Sequence, residues 1–147
     1  MPSSTPIVCS YCGVGCNLEL TLDKNGNPVK SSASGRNPEL NGRYLCVKGF
    51  TVHELINHEE RLTQPYIRKV DKLELVSWDE AIQCAVRRLK EIRSKYGPES
   101  IGMLCSGKTL NEEDYLSQKF QRAVIGSNNI DNCARLCHGP SEAAFKA

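Results

Sequence analysis

Cys9-Ser-Tyr-Cys12-Gly-Val-Gly-Cys16 is the stretch on which the reading of this chain turns. A further thiol, Cys46, arrives far downstream in Tyr44-Leu45-Cys46-Val47-Lys48-Gly49. Gly13 and Gly15 let the backbone turn tightly between the cysteines and bring amide N–H groups toward an anionic centre. Four thiolates suit iron and zinc alike. Structural zinc usually takes two paired Cys-x2-Cys knuckles. Here the spacing is Cys-x2-Cys-x3-Cys, followed by a single distant Cys. Three ligands from one glycine-containing loop and one from a remote segment suit a cube whose four irons each need one thiolate. The set therefore points to a [4Fe–4S] cluster at Cys9, Cys12, Cys16 and Cys46, with zinc as the alternative metal.

Around that loop the composition is ordinary. The chain has 147 residues, 39% of them hydrophobic and 24% charged, enough for one domain or two small ones. A net charge of +2 without long like-charge runs gives no electrostatic case for nucleic acid or an anionic membrane. Eight cysteines would suggest disulfides in a secreted chain. The first six residues, Met-Pro-Ser-Ser-Thr-Pro, carry neither the basic nor the apolar region of a leader. No segment approaches the apolar length of a membrane span. The expected setting is a reducing cytoplasm, where clustered cysteines serve as metal ligands or catalytic groups.

Outward from the cysteine loop, residues 17–22 alternate polar and apolar, the period of a half-buried strand. Asn25-Gly26 signals a tight turn, and residues 28–32 can return as the partner strand. A short helix fits residues 49–57. A second hairpin fits residues 67–70 and 73–76, around Asp71-Lys72. The character changes at Ser77, where Ser77-x-x-Glu80 is a capping box. Trp78, Ala81, Ile82, Ala85, Val86, Leu89 and Ile92 then recur at helical spacing as one apolar stripe, ended by Gly97-Pro98. Residues 100–106 read as a strand. Residues 111–125 read as a helix with Leu116, Phe120, Ala123 and Val124 inward, closed by Gly126. A strand near Asn129-Ile130 leads to Cys137-His138, and Pro140-Ser141 suit the first turn of another helix.

The expected fold class is thus a small β-rich cluster domain over residues 1–64, followed over 65–147 by the first, incomplete βαβα part of a parallel α/β domain. In such sheets ligands sit beyond the carboxyl ends of the strands, and Cys137-His138 falls in such a loop. A helix N-terminus there would favour the thiolate. From the residues alone Cys137 can be a nucleophile, a metal ligand or an inert thiol. Lys48, just past the last cluster cysteine, is either a solvated lysine or a cation that tunes the cluster and bridges it to a second redox centre. Cys84 and Cys105 read as core, Cys133 as structural, and His53 and His58 as surface residues.

Cys-x2-Cys-x3-Cys with a distant Cys-x-Lys-Gly is similar to the cluster domain of molybdenum and tungsten bis-pterin oxidoreductases. Within them, residues 123–131 (Ala-Val-Ile-Gly-Ser-Asn-Asn-Ile-Asp) and 133–141 (Cys-Ala-Arg-Leu-Cys-His-Gly-Pro-Ser) resemble the catalytic subunit of formate dehydrogenases, and Leu75 to Ala81 also fits. The resemblance covers essentially the whole chain. It implies that Cys9, Cys12, Cys16 and Cys46 hold the cluster and that Lys48 lies between cluster and pterin. It implies that Cys137 ligates molybdenum or tungsten of a bis(molybdopterin guanine dinucleotide) and that His138 assists proton handling. The implied reaction is formate to carbon dioxide, or the reverse, with electrons leaving through the cluster.

Family catalytic subunits are several times longer. The resemblance therefore implies that further polypeptide completes the pterin site, and that this chain alone is inactive. The electron partner it implies is a ferredoxin-like, NAD-linked or hydrogenase subunit. Three other readings remain: a nitrate reductase-type molybdoenzyme fragment, a non-catalytic electron-transfer or assembly module, and a zinc-stabilised interaction domain.

Overall fold

The computed structural model describes residues 3–147. Its elements mix short strands and helices, and two compact units interleave along the chain. One takes the chain up to Arg61 together with Cys105–Tyr115 and Asn132–Ala147; the other takes Leu62–Leu104 and Leu116–Asp131.

In the first unit, β1 (Ser3–Val8), β2 (Asn17–Leu22) and β3 (Pro28–Ala33) form an antiparallel sheet in that order. The alternation of β2 does what its period requires: Leu18 and Leu20 are buried while Glu19 and Thr21 are not. β1 pairs with β2 from Ser3↔Leu22 to Val8↔Asn17, so the cysteine loop is the connection between them. The β2–β3 turn uses Gly26 at φ 83°, a conformation that suits glycine. A register shift follows between Thr21 and Leu22.

Helix α1 (Val47–Ile56) lies against β3 and buries Val52 in the same core as Leu18, Leu20 and Cys9, with Ile7, Tyr11 and Leu45 around it. Gly49 is buried, and a Cβ there would meet the Leu45 side chain at 3.3 Å. His53, expected at the surface, is half-buried instead. Its Nδ1 lies 2.7 Å from Ser31 Oγ, and its N–H donates to that oxygen at 3.3 Å. Ser31 is itself only 3% exposed, so the pair satisfies polar groups at the α1–β3 contact.

The second unit begins with the hairpin β4 (Tyr66–Lys69) and β5 (Lys72–Leu75), paired from Tyr66↔Leu75 to Lys69↔Lys72. Lys69 reaches Glu74 at 3.2 Å and Glu80 at 3.7 Å, which joins the hairpin to α2 (Trp78–Tyr96). Ser77 Oγ accepts the Glu80 N–H at 3.2 Å, as the capping box requires. Gly97 at φ 84° ends α2, and a 3-10 turn over Pro98–Ser100 follows.

The strand expected over residues 100–106 is shorter, β6 at Met103–Cys105, because that turn takes its beginning. The helix expected over residues 111–125 is two elements: α3 (Asn111–Lys119) and a π-helical turn, Phe120–Ile125. The wider turn rotates the inward face. Gln121 and Ile125 are buried, whereas Leu116 is 60% and Val124 56% exposed. Gln121 Nε2 donates to the Ile101 carbonyl at 2.7 Å, so the buried amide holds the entry to β6.

β7 (Ile130–Asn132) lies beside β6. Within the second unit, Met103 N–H donates to the Asn129 carbonyl at 2.8 Å; within the first, Cys133 N–H donates to the Cys105 carbonyl at 3.0 Å. Both strands advance together from one bond to the next, which is the pattern of a parallel pair. Helices α4 (Ala134–Cys137) and α5 (Gly139–Lys146, with Pro140 in its first turn) complete the first unit.

Candidate metal centre

The β1–β2 connection is closed at its base, where Cys9 N–H donates to the Cys16 carbonyl at 2.8 Å. Inside it Gly15 takes φ 70°, a left-handed turn that any Cβ would oppose. Cys9 is buried, and Cys12 and Cys16 are half-buried. The fourth cysteine reaches this loop through Asn41. Its Oδ1 accepts the Asn17 N–H at 2.9 Å, and its Nδ2 donates to the Asn17 carbonyl at 3.2 Å and the Tyr44 carbonyl at 2.9 Å. One amide thus ties the residue after Cys16 to the segment that ends in Cys46. A cleft of about 530 Å³ lies beside Cys16 and Cys46, walled by Pro38, Asn41, Tyr44 and Leu45.

The Cys16 thiol feels the other three sulfurs. Burial pushes the Cys16 thiol up, and Cys9, Cys12 and Cys46 push it further in that order. Four neighbouring thiolates repel, and a cationic metal among them reverses that balance. Cys46 is the N-cap of α1 without a formed side-chain hydrogen bond. Even so, the amides of Gly49 and then Lys48 face its sulfur and hold the thiol below its usual value.

These donors fit an anionic iron–sulfur group: four thiolates, with helix amides and one cation beside them. Among the described residues, no three His, Cys, Asp or Glu side chains converge closely enough to hold a single metal ion.

Lys48 is not an unattached lysine. Its Nζ sits 5.4 Å from the centre of the Tyr11 ring, which lies inside the cysteine loop. A cation over an aromatic face is held electrostatically. Tyr11 and Asn41 are both missed by motif reading. An Asn-Gly pair at residues 41–42 was the available signal for Asn41, and an aromatic between two ligands was the signal for Tyr11.

The other chemistry lies at the α4–α5 junction. Cys137 closes α4 and is exposed, and His138, also exposed, links α4 to α5. The partner of Cys137 is Cys133, one helical turn back, with the sulfurs 3.9 Å apart. Cys133, read as structural, accepts a backbone hydrogen bond. Gly107 N–H donates to its sulfur at 3.2 Å, and Ser106 Oγ lies 3.9 Å away. The Gly107 amide is the foremost cause holding the Cys133 thiol below its usual value. Cys84, in α2, and Cys105, ending β6, are half-buried.

A long-range bond joins the first residue of α3 to the cysteine loop. Asn111 Nδ2 donates to the Gly13 carbonyl at 2.8 Å, across 98 residues of sequence.

Comparison with known proteins adds the following. Residues 3–58 match the family model described as the molybdopterin oxidoreductase Fe4S4 domain, and residues 61–147 match the molybdopterin oxidoreductase model. A Bacillus subtilis protein named provisionally as an oxidoreductase, YjgC, is 40% identical over 96% of this chain and 14% of its own length. A Staphylococcus aureus (strain Mu50) protein named provisionally as a formate dehydrogenase is 42% identical over 93% of this chain, again 14% of its own length. Among solved structures, acetylene hydratase from Pelobacter acetylenicus is similar in fold, with a TM-score of 0.65 at 22% identity. That match covers 92% of this chain and 19% of the hydratase. The chain thus spans about one seventh of the curated relatives it matches, which are 14% covered.

Proposed function

The chain belongs to the molybdopterin oxidoreductase family, and on that premise we propose that it is the cluster-bearing part of a formate dehydrogenase catalytic subunit. The observation that supports the reading is that Cys16 feels Cys9 and Cys12 from its own loop and Cys46 from a helix N-terminus. The similarity to relatives provisionally named formate dehydrogenases supports the choice of substrate.

Cys9, Cys12, Cys16 and Cys46 would hold the [4Fe–4S] cluster, and Cys137 would ligate molybdenum or tungsten of a bis(molybdopterin guanine dinucleotide). When bound, the pterin metal supplies two-electron exchange with formate, and the cluster supplies the one-electron exit. Lys48, steadied by Tyr11, places a positive charge beside the cluster ligands. His138, exposed next to Cys137, would assist proton handling there once the metal is bound. Further polypeptide would complete the pterin site, and an electron-transfer subunit would accept the electrons. The small cluster domain and the parallel α/β layer would be the two folding domains of this part. Its setting would be the cytoplasm.

Metal analysis and activity of the anaerobically purified intact protein test the reading. Roughly four irons per chain, with molybdenum or tungsten, are expected. Cys46→Ser should lower the iron content. Cys137→Ala should abolish formate turnover and leave the iron in place. Stoichiometric zinc without iron would overturn the cluster. Turnover of nitrate but not formate would reverse the substrate, and formate turnover unchanged by Cys137→Ala would leave only an electron-transfer role.

A further inference from the structure

Gly13 and Gly15 both lie between Cys12 and Cys16, but the structure gives them different reasons to be glycine. Gly15 has φ 70°, so its backbone excludes a side chain whatever the space. Gly13 lies outside that region. A Cβ built on Gly13 would meet Asn111 Oδ1 at 2.4 Å, Cγ at 3.2 Å and Nδ2 at 3.6 Å, and those are its three nearest neighbours. The space over Gly13 is filled by one side chain, and that side chain donates to the Gly13 carbonyl at 2.8 Å.

Asn111 is in turn fixed from its own side. Thr109 Oγ1 donates to the Ser106 carbonyl at 2.7 Å and to Asp114 Oδ1 at 3.1 Å, while Leu110 N–H donates to Glu113 Oε2 at 2.8 Å. These bonds order the turn that starts α3. Two residues before Thr109, Gly107 N–H donates to Cys133 Sγ at 3.2 Å.

We infer that Asn111 is a positioning residue for the cysteine loop. It braces the Cys12–Cys16 turn from outside the cysteine motif, and it is the reason that residue 13 is glycine. The segment Ser106–Asn111 then acts as a strut, with one end on the sulfur of Cys133, one turn from Cys137, and the other on the cluster loop. The inference rests on the cluster reading proposed above and extends it to a residue outside the cysteine motif. Without the brace the loop gains freedom, so the sulfurs hold iron less tightly and water reaches the cluster. Solvent exposure and hydrogen bonding to sulfur are among the factors that set a cluster's potential. Water stabilises the more negative, reduced form, so the potential should move upward.

The test is a double-mutant cycle in the intact protein with Gly13→Ala, Asn111→Ala and both together. The readouts are iron content, the rate of iron loss to a chelator, and the midpoint potential and electron paramagnetic resonance line shape of the reduced cluster. Asn111→Ala should keep its iron but lose it about fivefold faster, the factor that about 1 kcal/mol for one hydrogen bond carries. Its potential should rise and its line shape broaden. Gly13→Ala, which must push the Asn111 side chain aside, should lose iron faster than Asn111→Ala. The pair should hold more iron than Gly13→Ala alone, because removing the Asn111 side chain frees the space that the new methyl needs.

An Asn111→Ala protein with wild-type potential, line shape and iron retention would overturn the inference. So would a double variant as depleted as Gly13→Ala. A wild-type protein without iron overturns the cluster reading and this inference with it. A wild type with iron and no coupling between the two substitutions overturns this inference alone.

Discussion

Asp23 shows how one side chain fixes a turn. Its Oδ1 accepts the N–H groups of Asn25 and Asn27, both at 2.8 Å, and its Oδ2 accepts Asn27 Nδ2 at 3.4 Å. The Asn27 amide is the foremost cause holding its carboxyl below the usual range. A carboxyl depressed in the folded state stabilises above its unfolded value, near pH 4, and that stabilisation is lost as pH falls through the folded value. Asp23→Asn should therefore weaken the β2–β3 turn at neutral pH and flatten the acid side of its stability curve. Amide exchange at Asn25 and Asn27 between about pH 3 and pH 7 would show it, and a variant with the wild-type acid limb would remove Asp23 from the account. The turn itself was legible, because Asn25-Gly26 is a strong local signal. The Asp23 closure follows from the same stretch once the turn is known. The brace on Gly13 was not legible: a residue 98 positions away supplies it, and sequence spacing carries no trace of that approach.

Elements were read well where a local rule governs and less well where packing does. β2 announced itself by alternation, and its inward residues, Leu18 and Leu20, are those the pattern names. The start of α2 was legible to the residue because Ser77 and Glu80 satisfy a hydrogen-bonding rule that involves no distant partner. Ser77→Ala should cost about 1 kcal/mol, the usual worth of such a cap, with the loss confined to the α2 N-terminus. Chemical denaturation followed by circular dichroism measures the total, and amide exchange at Glu80 locates it. A stability unchanged within a few tenths of a kcal/mol would mean that the Glu80 amide finds another acceptor. The failure after Lys119 has a different origin. A helical stripe can be projected only while the residues per turn are constant, and the π-helical turn at Phe120–Ile125 breaks that condition. The side chain that anchors the turn, Gln121, is polar and fully buried, so a hydrophobic pattern passes over it.

At the scale of the molecule, the stripe predicted on α2 exists but is not covered by this chain. Trp78 is 60%, Ile82 56% and Val86 43% exposed. An apolar face of this kind is a docking surface or a liability. Given relatives of which this chain covers 14%, the cover expected on the proposed function is further polypeptide. The isolated 147-residue chain should bind a hydrophobic dye strongly, and Ile82→Glu with Val86→Glu should remove much of that binding. In the full-length protein the same pair should impair folding. Full-length protein indifferent to the pair would mean that α2 faces water. Among the described residues no helix is long and apolar enough to cross a membrane.

The hairpin of β1 on β2 has one more consequence, and it concerns time. Its closure makes neighbours of Cys9, Cys12 and Cys16 with only a short loop to restrict. Cys46 comes into reach only when α1 settles on β3, a later and more costly closure. On the cluster reading proposed above, three of the four sulfurs would be grouped before the fourth arrives, and α1 would close the set.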